Sequence, residues 1–249
     1  MHRTRNQTHL AIDEGGIFAV EQLIIAKHHM TQQVYAHRIR TITDQLIVRG
    51  LRFAIEEDAE LRAGYTYDGS EEQLQRYLAL GDAAVWVRAL NRGGERARSL
   101  FQRLRDRRLL KELFVIPITD SDIPDAGMRE ALGSVGQDER GDIEASIATL
   151  LGCEPWEVIV HKSTWKNPAF QPLGVIDAEA IHVVPHEGGS RTLNQYKSLV
   201  VGQLPADERF HVFGPTEGLA TGAELTATER VNLQNQIRQL LAERFEGKL

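Results

Sequence analysis

The chain has 249 residues, enough for one large or two small domains. Hydrophobic residues make up 42% and charged residues 26%, which supports a sizeable core and excludes compositional disorder. A net charge of −6 argues against wholesale coating of nucleic acid, and the single cysteine, Cys153, excludes an internal disulfide and a cysteine-cluster metal site.

Without a signal peptide or an apolar run of bilayer length, the expected location is cytoplasmic. The opening is basic and polar, with a strand expected from Leu10 to Asp13 and a turn at Glu14, Gly15 and Gly16. From Ile17 to Gly50 there is no proline and no internal glycine. Ile17, Val20, Leu23, Ile24, Val34, Ile39, Ile42 and Leu46 share one face at helical spacing, which predicts one long amphipathic helix. Lys27, Thr31, Tyr35 and Arg38 fall in the same stripe. A cation there requires a partner, either a carboxylate (Glu21, Asp44 or Glu57) or a bound phosphate.

Helical patterning continues past Gly50. Ser70 with Gln73 fits a capping box, Asp82 is placed to cap the next helix, and Gly93-Gly94 breaks it. A further helix is expected from Glu95 to Leu113, and the cations from Arg92 to Lys111 read as its solvated face or as a phosphate patch. From Phe114 the pattern changes to short apolar strands, at 114–118, 157–161, 181–184 and 209–213. Helices are expected over 138–152 and 193–204, with a turn at His186–Ser190. Thr226 and Glu229 form a second capping box, opening a final helix that runs to about Phe245. The expected class is α+β: a helical region over 1–112 and a lobe over 113–249 whose strand and helix order matches a ferredoxin-like unit.

The run AVEQLIIAKHHMTQQVYAHR carries a resemblance. With Glu21, Lys27, Met30, Val34, Tyr35, His37 and Arg38 it is similar to a segment of the HD-domain deoxynucleoside triphosphate triphosphohydrolases, both bacterial dGTPase-like and SAM-and-HD-domain types. Lys27 stands where that family usually has arginine, leaving a point charge without a bidentate fork. Arg107-Arg108-Leu109-Leu110-Lys111 resembles an R-R-L-x-K element of the bacterial members, and KSLVVGQL followed by FHVFGP resembles their C-terminal region.

The resemblance implies a portion lying after the HD core, with the catalytic half upstream. It implies a metal-dependent hydrolase of dNTPs, using a divalent metal (Mg or Mn) held outside this chain. No histidine here is followed by aspartate, so no catalytic residue and no metal ligand is assigned. Lys27, Tyr35, His37 and Arg38 are assigned as nucleotide and phosphate contacts, with Arg103, Arg107, Arg108 and Lys111 as a basic patch. The implied partners are dNTPs and either the HD-containing half or identical subunits. A nucleic-acid-binding module and a purely structural oligomerising domain are the rivals; membrane is excluded. Trp165, Asn167 and Phe170 suggest a minor partner surface, and His182 with His186 a metal pair without carboxylate support.

Overall fold

The computed structural model describes residues 2–4, 7–9, 11–30, 33–34, 37–165, 182–184, 191–192, 207–216 and 225–245. In chain order the elements are β1 (His2–Thr4), β2 (Gln7–His9), β3 (Ala11–Asp13) and α1 (Ile17–Met30). Next come α2 (Arg38–Glu57), α3 (Ala59–Tyr65), α4 (Glu71–Ala79), α5 (Asp82–Arg92) and α6 (Gly94–Arg105). β4 (Lys111–Pro117), α7 (Ala126–Ser134), α8 (Gln137–Leu151) and β5 (Ile159–Trp165) follow. β6 (His182–Val184), β7 (Arg191–Thr192), β8 (Asp207–Gly214) and α9 (Ala227–Arg244) complete the order. The expected turn at His186–Ser190 and helix over 193–204 lie outside the described residues, as do Asn167 and Phe170.

The chain divides into two compact units, Met1–His37 with Ser163–Glu208, and Arg38–Lys162 with Arg209–Leu249. In the smaller unit β1 and β2 pair antiparallel, while β3 runs parallel to β6, with Ile12 opposite Val183. β6 pairs with β7 on its other side, and Val183 is fully buried.

The larger unit is built on the sheet β4–β8–β5, with β8 in the centre. Alternation along the strands sends side chains to both faces. Phe210 and Val212 of β8, with Phe114, Ile116 and Val160, join a core completed by Met128, Leu132, Ile143, Ile147, Leu233, Ile237 and Leu241 from α7, α8 and α9. Phe213 and Ile159 point the other way, against Ile42 and Leu46 of α2 and Leu100 of α6. Both faces are therefore covered, and the class is α+β. Position 113 falls inside this unit, because the helical layer and the sheet share one core.

Two expectations are corrected. The single helix from Ile17 to Gly50 is two helices, α1 ending at Met30 and α2 beginning at Arg38. Apolar periodicity runs through both, but burial holds a helix together, and the two belong to different units. Nor is the connectivity of the described residues that of a ferredoxin-like lobe. β6 pairs with β3 in the smaller unit, and β8 lies between β4 and β5. Strand order along a sequence does not name strand partners.

Gly50 is where α2 needs no side chain. A Cβ there would lie 2.9 Å from the Phe101 ring, which itself meets Trp86 edge-on at 5.2 Å. The bare backbone lets α6 approach α2 closely, so the glycine serves packing rather than ending the helix. Polar groups complete the layer. Asp58 caps α3, accepting from the Glu60 and Leu61 backbone, and takes two bonds from Arg88 at 2.9 and 2.7 Å. The Arg88 guanidinium holds the Asp58 carboxyl below the usual carboxylate range, against the opposing effect of burial. Arg49 of α2 reaches Glu144 of α8, and Glu144 also accepts from the Val160 backbone at 2.9 Å.

A candidate anion site at the turn into the sheet

The helix expected over 95–113 stops at Arg105. Arg107 takes a left-handed backbone (φ 55°). Its N–H bonds to the Leu104 carbonyl at 3.2 Å, and the Arg108 N–H reaches back to Arg103 at 2.9 Å. These bonds satisfy the end of α6 in the way glycine-terminated helices usually do. The chain then buries Leu110 and enters β4, with Lys111 opposite Gly214 and Glu112 opposite Phe213. Strand pairing overrides the helical propensity of this stretch. A bulge between Glu112 and Phe114 lets Leu113 and Phe114 both enter the core.

This turn forms one wall of a cavity of about 480 Å³ that lies wholly within the larger unit. Arg38 and Ile42 come from the start of α2, Arg107 and Lys111 from the turn and β4, and Arg230 and Leu233 from α9. The Thr226–Glu229 capping box, formed in both directions, sets the first turn of α9 and hence the position of Arg230. Arg38, Arg107, Lys111 and Arg230 are all exposed. Among the described residues none of the four makes an ion pair. The one acid among the described lining residues, Glu112, is held by His211, its Oε2 lying 3.0 Å from His211 Nδ1.

Other arginines of the run from Arg92 to Lys111 are engaged elsewhere. Arg103 pairs with Glu157 at 2.9 Å, Arg96 with Glu57 at 2.6 Å, and Arg105 with Asp106 at 2.8 Å. Arg108 is exposed, 3.8 Å from Asp106. The expected basic patch therefore splits. Arg107 and Lys111 face the cavity, while Arg103 is locked in an ion pair.

Of the residues assigned from the long stripe, Arg38 lines the cavity. Lys27 and His37 belong to the smaller unit, and Tyr35 lies outside the described residues. Arg230 was not anticipated. Its sequence neighbourhood is that of a capped helix, and only folding brings it to Arg107.

Behind the cavity wall, His211 stacks on Phe213 with ring centres 5.5 Å apart and lies 6.2 Å from His161. Burial, then the neighbouring His211 and Arg140, push His161 down to about 4, so its imidazole is neutral at pH 7. Burial likewise pushes the Cys153 thiol up to about 11, which leaves it an inert side chain against the core. Among the described residues no three His, Cys, Asp or Glu side chains are grouped to hold a metal ion. A cavity rimmed by four cations suits an anion.

The profile of the family described as HD associated region matches residues 2–182. Two solved structures share the fold. A phosphohydrolase from Bacteroides thetaiotaomicron is 16% identical with a TM-score of 0.54, covering 82% of this chain and 51% of its own. A hypothetical protein from Aquifex aeolicus is 17% identical with a TM-score of 0.52, covering 93% of this chain and 47% of its own. The chain thus spans about half the length of these structures, and no curated protein matches it. With its profile match running over most of its length, the chain belongs to the HD associated region family.

Proposed function

We propose that this chain is the part of an HD-type dNTP triphosphohydrolase-like protein that follows the metal-binding core, and that it supplies phosphate contacts to a bound nucleotide. The carrying observation is the cavity with four basic side chains and no ion-pair partner among the described residues. Like charges gathered around one opening repel each other, and a polyanion relieves that repulsion. The Bacteroides structure is that of a phosphohydrolase, which is consistent with such a ligand. Lys27, Tyr35 and His37 are further nucleotide contacts in this reading, resting on the sequence resemblance. So do dGTPase-like chemistry, the divalent metal of the HD core, oligomer contacts and a cytoplasmic location. No described helix is long and apolar enough to cross a membrane. A nucleic-acid surface along Arg92–Lys111 is disfavoured, because Arg96, Arg103 and Arg105 are neutralised by carboxylates.

The test is calorimetric titration of the purified chain with dNTPs. Arg38→Ala and Lys111→Ala are each expected to weaken binding about tenfold or more, since a charge-assisted contact contributes roughly 1.5–3 kcal/mol. The chain alone should release no triphosphate in Mn²⁺ or Mg²⁺. Wild-type affinity in both variants would place the nucleotide elsewhere.

A further inference from the structure

Two features of the cavity narrow what it can recognise. Among the described residues its lining contains no aromatic side chain: beside the charged groups and Thr216 stand Ile39, Ile42, Leu109, Leu110, Leu113, Leu225 and Leu233. Among these residues a nucleobase would find neither a ring to stack on nor an array of side-chain amides to read its edge. The second feature is Arg107. It is the only non-glycine residue with positive φ among the described residues, and it sits on the cavity. Left-handed backbone is unfavourable for an L side chain, and glycine is the usual occupant of this position at a helix end. The same bonding pattern closes α8, where the left-handed residue is Gly152 at φ 66°. Helix termination therefore does not call for arginine at 107; a charge on the cavity does. Strained backbone positions gather where a site requires a particular side chain.

Resting on the phosphate-contact reading above, we infer that the cavity is a base-indifferent polyphosphate site, with Arg107 as an anion contact retained against the backbone preference for glycine. The site takes the triphosphate moiety and leaves sugar and base unread. Arg107 comes from the turn, Lys111 from the strand, Arg38 and Arg230 from two helices, so the ligand also ties four segments together.

The experiment titrates the full chain with inorganic tripolyphosphate and with each of the four common dNTPs, and repeats this with Arg107→Gly. The five ligands should bind within about threefold of one another. Arg107→Gly should weaken all five alike, by about tenfold, a change set by one charge-assisted contact. The same variant should melt higher by roughly 2–4 °C, because the backbone is relieved. A strong preference for one base, or dNTP binding without tripolyphosphate binding, overturns the inference while the nucleotide reading stands. Tripolyphosphate binding without any dNTP binding overturns both, because a base-indifferent triphosphate site must accept dNTPs. No binding of any of the five defeats both. Unchanged affinity in a more stable Arg107→Gly removes Arg107 from the site.

Discussion

The ends of α6 and α8 are built alike and staffed differently. At each, a left-handed residue bonds back three residues and its successor bonds back five. α8 uses Gly152, beside which an added Cβ would meet nothing. α6 uses Arg107 and opens onto a cavity. The contrast extends to the arginines generally. Those of the helical layer, Arg88, Arg49 and Arg103, are matched to Asp58, Glu144 and Glu157 and organise packing. Those around the cavity have no such match among the described residues. One residue type therefore divides into a structural class, where the protein supplies the counter-charge, and a class with no counter-charge among the described residues.

The structural class gives the largest expected effect. Asp58→Ala removes a helix cap and leaves the part-buried Arg88 guanidinium without its carboxylate. Stability should fall by about 3–5 kcal/mol, seen in urea unfolding, since breaking such a pair exposes an uncompensated charge. Polyphosphate affinity at temperatures where the variant is folded should be unchanged. If affinity fell as far as it does in Lys111→Ala, the two classes would not be separate.

A smaller effect depends on pH. His161 titrates near 6.5 when unfolded and about 4 when folded, because burial disfavours its charged form. Between these values the unfolded chain holds a proton that the folded chain refuses. Stability is therefore complete above about pH 6.5 and declines as pH falls towards 4. His161→Gln should flatten the melting temperature across that window. The Asp58 carboxyl, held low by Arg88, loses its contribution only under more acidic conditions. A wild-type profile that is flat from pH 7 to pH 4.5 would contradict the burial of His161.

The smallest effect sharpens the two helix ends directly. Gly152→Ala forces a Cβ into the left-handed region and should lower stability by about 1 kcal/mol, or roughly 2–4 °C in Tm. It is the mirror of Arg107→Gly, which should raise Tm. Both variants moving the same way would mean the strain at Arg107 is not local to its backbone.

Much of the chain was legible without the structure. The Thr226–Glu229 box and its helix, the break at Gly93-Gly94, and strands close to 159–165 and 207–214 follow from local signals. Ser70 caps α4 as expected, although Gln73 turns its side chain to the Gly64 carbonyl instead of back to the cap. Asp82 proved to be the first residue of α5, behind Gly81 as the cap. α7 has no counterpart among the expected helices; it follows a segment rich in Asp and Pro, where the Asp125 cap was the one available clue.

The sequence by itself determined the α+β class, the cation-rich stretch around Arg107 and the candidacy of Arg38, because capping, periodicity and composition act over a few residues. It did not separate α1 from α2, since continuous periodicity does not show that the two halves belong to different units. Nor did it end α6 at Arg105, because that depends on β4 pairing with β8 from about a hundred residues away. Tertiary structure alone decided which cations find a carboxylate among the described residues and which do not. Arg103 and Arg107 are four residues apart in one basic run, and their fates are set by Glu157 on one side and by an open cavity on the other. Charge pairing is a property of distance in space, and only the folded chain supplies that distance.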